Sequence, residues 1–305
     1  MNIHFIGVPL DLGAGRHGAD LGPNAIRYAG LNLLPPMDEQ LRKLGHPLID
    51  EGNLAVPQTK IEQPYISNAQ LRNVESILDV CGSLAATVER CCGPDDFPLV
   101  IGGDHSLTMG SIAGVVRARG PVGVIWIDAH ADFNTDESSP SGNIHGMSLA
   151  ALVGVGNKQL VEMGGFGPKV DPHRAVIIGS RDLDPGEKEF LREIGIHVFT
   201  MKEIDRLGMA AIMEQAIDLA TDGSDGLHIS FDIDAVDPKD APGTGTKVAG
   251  GLTYREAHLA LELIADAGKM TSLDIVEVNP TLDIENRTAA LAVELILSAF
   301  GKRIF

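Results

Sequence analysis

Short apolar, β-branched runs recur along the chain, and longer stretches with an apolar residue every three or four positions fall between several of them. The short runs, at residues 3–8, 46–50, 97–101, 122–128, 175–180, 197–199, 227–232 and 272–277, predict strands. The longer ones, clearest at 69–90, 107–119, 208–220, 254–267 and 285–300, predict amphipathic helices, and Thr253 is a natural N-cap for the fourth. Glycine- and proline-rich loops are expected at 13–23, 136–142 and 238–251. Strand and helix patterns alternate without a polar linker, so residues 1–305 are expected to form one α/β domain with a mostly parallel sheet covered by helices on both faces.

In such sheets, ligands bind beyond the carboxyl ends of the strands. Gly102-Gly103-Asp104-His105, the run Asp128-Ala129-His130-Ala131-Asp132, the run Asp232-Ile233-Asp234 and Glu277 all fall at predicted strand ends. These polar groups are therefore expected to meet along one edge. Alternate residues of an extended chain point the same way, which would bring Asp128, His130 and Asp132 to one side and pair Asp232 with Asp234. Carboxylates at that density repel one another unless a cation sits between them. With His105 they form a donor set of oxygen and nitrogen without sulfur, which suits manganese, cobalt or nickel. The number of carboxylates favours two ions about 3.5–4 Å apart, able to activate a water between them.

Other positions carry further chemistry. Glu277 should share a strand face with Leu273 and Ile275, where a carboxylate needs a cationic partner, and a guanidinium fits through two parallel hydrogen bonds. Asn134, Ser141, Gly142, Asn143 and His145 follow the first acidic run and could grip a polar ligand, with His145 titrating near neutrality as a proton carrier. Thr244 and Thr246 offer hydroxyls in a glycine-rich turn. Residues 13–18 match a dinucleotide fingerprint, but Gly22-Pro23 and Pro35-Pro36 interrupt the long helix that motif requires, so the match is read as accidental.

Composition narrows the classes. With 42 acidic against 24 basic residues, a formal net charge of −18 argues against nucleic-acid binding and suits a cationic substrate. Apolar residues make up 44% and aromatics 4%, enough for an aliphatic core. No apolar run approaches the length of about 18 residues that spans a bilayer, and no export signal is readable, so neither membrane nor secretion is expected. The three cysteines, Cys81, Cys91 and Cys92, show neither a zinc-ligand spacing nor disulfide-scaffold density, and a cytoplasmic location follows.

The motifs GGDHS (102–106), DAHAD (128–132), SGNIHGM (141–147), SFDIDAVDP (230–238), PGTGT (242–246), GGLTYRE (250–256) and DIVEVNP (274–280) resemble, in order, those of the ureohydrolase family, and within it the arginine-hydrolysing branch. The resemblance implies a three-layer α/β/α fold with an eight-stranded sheet, two manganese ions per subunit and a homo-oligomer, trimer or hexamer. One ion would be held by His105, Asp128, Asp132 and Asp232, the other by Asp128, His130, Asp232 and Asp234. Glu277 would anchor the guanidinium, His145 would shuttle protons, and Asp132 would carry a proton to the leaving amine. Asn134, Ser141 and Asn143 match contacts to a substrate α-carboxylate and Asp184 to an α-amino group, with Glu187 and Thr246 as lesser candidates nearby. The implied reaction is hydrolysis of L-arginine to L-ornithine and urea by a metal-bridging hydroxide. Agmatine or guanidinobutyrate as substrate, or a catalytically silent metal-binding oligomer, are the alternatives.

Overall fold

The computed structural model describes residues 1–57 and 71–305. Strands form at Asn2–Val8 (β1), Leu48–Asn53 (β2), Asp96–Gly102 (β3), Gly123–Ile127 (β4), Ala175–Ser180 (β5), His197–Thr200 (β6), Leu227–Asp232 (β7) and Met270–Val276 (β8). Each corresponds to one of the apolar runs. They make a single parallel sheet in the order β2-β1-β3-β8-β7-β4-β5-β6. The strands that end in β3's GGDH, in Glu277, in Asp232 and in Asp128 are therefore the four central neighbours β3, β8, β7 and β4.

Side-chain alternation divides the core into two apolar layers, one on each face of the sheet. Ile3, Phe5, Leu99, Ile101, Ile125, Ile127, Ile229 and Ile275 pack under the helices Gly22–Asn32, Met209–Thr221, Tyr254–Ala267 and Arg287–Ala299. Ile6, Val8, Val100, Val124, Trp126 and Ile177 pack under Val74–Arg90 and Thr108–Arg119. This is the expected three-layer α/β/α arrangement. The second face of β7 and β8 is polar instead, with His228, Ser230, Ser272 and Asp274 all fully buried. Ser111 on the covering helix donates to Asp274 Oδ1 at 2.7 Å, and His228 Nδ1 lies 2.8 Å from Ser272 Oγ.

Several boundaries differ from the sequence pattern for identifiable reasons. The helix expected at 285–300 begins at Arg287, because Glu285 and Asn286 have φ of 52° and 58° and cannot be helical. The one expected at 69–90 begins at Val74, after Asn73 at φ 54°. The expected positions Ala69 and Gln70 lie outside the described residues. Gly22 and Pro23, expected in a loop, open the helix Gly22–Asn32, where a proline in the first turn lacks no hydrogen bond. Pro185–Ile194 and Met201–Leu207 are helices the sequence pattern did not single out. Among the described residues no helix is long and apolar enough to cross a membrane.

Candidate active site

The two acidic runs do not converge by extended alternation as expected. β4 stops at Ile127 and β7 at Asp232, and each run then folds into a turn closed by its own first aspartate. Asp128 Oδ1 accepts the His130 N–H at 2.7 Å, and Asp232 Oδ1 accepts the Asp234 N–H at 2.8 Å. β4 and β7 are hydrogen-bonded with Ile127 opposite Phe231, so the two turns stand side by side. Asp132 follows in a left-handed conformation at φ 50°, as does Glu277 beyond β8 at φ 63°. Glu277 thus leaves the alternation it was expected to share with Leu273 and Ile275. Non-glycine residues in that region are uncommon, and here two of them aim carboxylates at one place.

His105 enters from the end of β3. Gly103 makes this possible, because a Cβ there would lie 2.3 Å from the Leu10 carbonyl oxygen. The imidazole is fully buried, and its Nδ1 lies 3.2 Å from Asp128, 3.0 Å from Asp132 and 3.3 Å from Asp232. His130 Nδ1 lies 3.4 Å from Asp128 and 3.1 Å from Asp234. Two groups of donors result, His105 with Asp128 and Asp232, and His130 with Asp128 and Asp234, and Asp128 belongs to both.

Electrostatics show what the cluster lacks. Burial, reinforced by the charges of Asp234 and Asp128, pushes Asp232 well above the usual carboxylate range. Burial and Asp128 likewise push Asp132 up to about 6 and raise Asp234. Burial opposes charge on His105 and His130 too, yet the surrounding carboxylates hold both well above the usual histidine range. Positive charge is what the cage favours. His105 Nδ1 nevertheless makes no hydrogen bond of acceptable direction to any of its three carboxylates. A buried nitrogen and several carboxylate oxygens converging without mutual hydrogen bonds fit a divalent cation as the missing partner.

Residues behind the cage hold its ligand atoms. Ser230 Oγ lies 2.7 Å from His105 Nε2, which leaves Nδ1 free of its proton when Nε2–H donates to the hydroxyl. Trp126 stacks on the His105 ring with centroids 4.0 Å apart and donates Nε1–H to Asp128 Oδ2 at 2.9 Å. The guanidinium of Arg181 donates to the carbonyl oxygens of Asp234, Ala235 and Val248. None of these three was singled out from sequence. For Trp126 and Ser230 a signal existed, since each precedes an acidic residue by two positions on a strand end.

The cage opens into a cleft of about 160 Å³ lined by His130, Asp132, Asn134, Ser141, Asn143, His145, Asp184, Glu187, Asp232 and Thr246, together with Ser139, Gly146 and Asp182. Asn134, Ser141, Asn143, Asp184, Glu187 and Thr246 reach it as expected from sequence, whereas Thr244 and Glu277 do not line it; Ser139 and Asp182 are additions. Asn134 Nδ2 donates to Asp184 Oδ2 at 2.9 Å, and Asn143 Oδ1 is buried without a partner, an acceptor left open to a ligand. Thr246 donates to Asp234 Oδ2 at 2.7 Å, so it braces the cage. Both oxygens of Glu187 are occupied, accepting the N–H of Phe133 at 2.9 Å and of Asp184 at 2.8 Å. Glu277 lies just beneath the cleft wall, 2% exposed, and His145 Nδ1 reaches its Oε1 at 3.0 Å. Burial opposes the His145 charge, but the Glu277 carboxylate outweighs it and holds the imidazole up at about 9. Asp132 and Asp104 add to that pull, so the cluster without a metal favours the charged imidazole. In the run at 13–18, whose likeness to a dinucleotide fingerprint is read as accidental, the Gly13 N–H is tied to Asp104 Oδ2 at 2.8 Å.

The arginase family model matches residues 1–301. The chain belongs to the arginase family. It is 49% identical to the arginase of Bacillus caldovelox over 303 residues, 99% of both chains. The crystal structure of arginase from Bacillus cereus superposes with a TM-score of 0.91 at 49% identity, covering 100% of both chains. Arginase of Entamoeba histolytica, solved with L-ornithine, superposes with a TM-score of 0.87 at 34% identity over 99% of each chain. As an arginase-family member this protein is a hydrolase.

Proposed function

We propose that this protein hydrolyses L-arginine to L-ornithine and urea with two manganese ions. His105, Asp128, Asp132 and Asp232 would hold one ion, and Asp128, His130, Asp232 and Asp234 the other. The observation that carries this reading is the layout of the cleft. Its floor is the carboxylate and imidazole cage, and its wall presents Asn134, Ser141, Asn143 and Asp184, groups suited to an amino acid's carboxylate and ammonium. The kinship with the Entamoeba histolytica arginase crystallised with L-ornithine supports it.

A pair of divalent cations bound there would supply charge compensation for the buried carboxylates and a water acidic enough to act as nucleophile at neutral pH. The chain's own groups do the rest. Asn134, Ser141, Asn143 and Asp184 fix the amino-acid end, so the guanidinium is presented to the floor in one orientation. Glu277 receives the guanidinium as a cation exchanging for His145. Once its carboxylate is neutralised by substrate, His145 loses the interaction that held it charged and can release or accept a proton at neutral pH. Asp132, a member of the cage that also lines the cleft, would take the proton given up by the attacking water and deliver it to the departing ornithine nitrogen. Thr246, Glu187, Ser230 and Trp126 keep these groups in position. We infer a cytoplasmic homo-oligomer, trimer or hexamer.

Urea release from arginine, agmatine and guanidinobutyrate by manganese-loaded protein tests this. Arginine should exceed the other two by at least tenfold in kcat/KM. Agmatine turning over as fast as arginine would show that the amino-acid end is not recognised.

A further inference from the structure

We propose that His4, Glu51 and Cys91 form a second metal site, for a borderline divalent ion such as zinc, separate from the cage in the cleft. His4 stands on β1, Glu51 on β2, and Cys91 ends the helix Val74–Arg90. One donor atom from each lies within 4.8 Å of the other two. His4 is four residues before the end of β1 that faces the cleft, about 13 Å at the rise of an extended strand, so this group shares no residue with the cage.

The plain alternative is an edge ion pair between His4 and Glu51, whose Nδ1 and Oε1 are 2.8 Å apart. That pair leaves two observations without an account. His4 Nε2 is buried and makes no hydrogen bond, although Asp96 Oδ1 stands 3.2 Å away in a poor direction. Cys91 is 5% exposed, is not in a disulfide, and packs its sulfur against a histidine and a carboxylate although it belongs to the apolar layer. Burial pushes its thiol up to about 11, and the charges of Glu51, Asp96 and Cys92 add to that. A cation there would take one nitrogen of the imidazole and the Glu51 carboxylate, and would take the sulfur as thiolate, releasing its proton.

The donor chemistry also selects the ion. Sulfur, nitrogen and oxygen from three residues make a set that zinc and cobalt accept readily and manganese disfavours, whereas the cage in the cleft offers only oxygen and nitrogen. An ion at the usual bond lengths of about 2.0–2.3 Å requires the His4 and Glu51 pair to open around it and the Cys91 sulfur to move in. Glu51, with a side chain 35% exposed on the edge strand, has room to make that move.

Cobalt(II) chloride is the probe, because only a site containing Cys can give a thiolate-to-cobalt charge-transfer band. The full chain, first loaded with manganese, is titrated with cobalt without added thiol. One equivalent per chain should develop the near-ultraviolet band. Zinc should remove it, and manganese should not. Cys91→Ser should abolish the band while leaving the circular dichroism spectrum and thermal midpoint of the manganese-loaded protein in place. Cys81→Ser and Cys92→Ser should retain it, and His4→Gln should weaken cobalt binding at least tenfold. Absence of the band at excess cobalt, or its persistence in Cys91→Ser, would overturn the proposal.

Discussion

His145 Nδ1 lies 3.0 Å from Glu277 Oε1, the same oxygen that accepts the His105 backbone N–H at 2.9 Å. One carboxylate oxygen thus joins the proposed proton carrier to the strand end that presents a cage residue. Glu277→Gln should remove the force that keeps His145 charged. Its pKa, followed by imidazole NMR in metal-free protein, should fall from about 9 toward the ordinary value near 6.5. Arginine turnover should drop at least 100-fold, since the guanidinium loses a charged partner. An unchanged His145 titration would sever the link.

The same pair makes metal-free stability depend on pH. His145 has a folded value raised to about 9, above its ordinary 6.5, so its contribution is complete below pH 6.5 and is lost as pH rises through 9. With a side chain 16% exposed, the loss should be of order 3 kcal/mol at most. Urea midpoints measured at pH 6.5 and 9.5 should show it, and Glu277→Gln should flatten the difference.

Asp128 belongs to both donor groups. Asp128→Ala should therefore lower manganese from two ions per chain toward none, measured by metal analysis after gel filtration, and activity should go with it. Ser230→Ala removes only the partner of His105 Nε2 and should weaken manganese affinity by about 10–100-fold. Full occupancy in Asp128→Ala would refute the shared-ligand reading.

Asp184 both lines the cleft and caps the helix Pro185–Ile194. Asp184→Asn keeps a capping side chain but removes the charge that would meet an α-ammonium. The KM for arginine should rise about tenfold or more, while guanidinobutyrate, which carries the carboxylate but no ammonium, should be turned over as before. Equal losses on both substrates would place Asp184 outside amino-acid recognition.

Beneath the cage, Asp274 is fully buried, takes the Ser111 hydroxyl, and stands 3.3 Å from His228 Nε2. Asp274→Ala should cost about 2 kcal/mol, because the buried Ser111 hydroxyl loses its acceptor. Chemical denaturation checks this. A change under 1 kcal/mol would mean that the layer relaxes around the loss.

The eight strands were legible because a parallel sheet buried on both faces needs apolar, β-branched runs, and few other structures do. The polar second face of β7 and β8 interrupts that rule at His228, Ser230, Ser272 and Asp274 without hiding the strands, since Leu227, Ile229, Phe231, Leu273 and Ile275 keep the other face apolar. The cage residues were legible as chemistry, but the way they converge was not. It depends on turns closed by Asp128 and Asp232 and on left-handed backbone at Asp132 and Glu277, which no periodicity encodes. The His4, Glu51 and Cys91 group was invisible for a different reason. Its members come from three elements with no local spacing, and only the packing of β1, β2 and a helix end unites them.

The pairing of β4 with β7 has a consequence for which ions the cage can accept. Asp128 and Asp232 each sit at the tip of a strand, and Ile127 and Phe231 just before them are partners in the ladder. The distance between those two backbones is the interchain repeat of any pleated sheet, about 4.8 Å. The spacing of the cage is thus inherited from peptide hydrogen bonding and is set before any ion arrives. An ion too large or too small cannot widen or narrow that frame without prising apart two of the four central strands of the sheet. The sheet itself serves as the gauge.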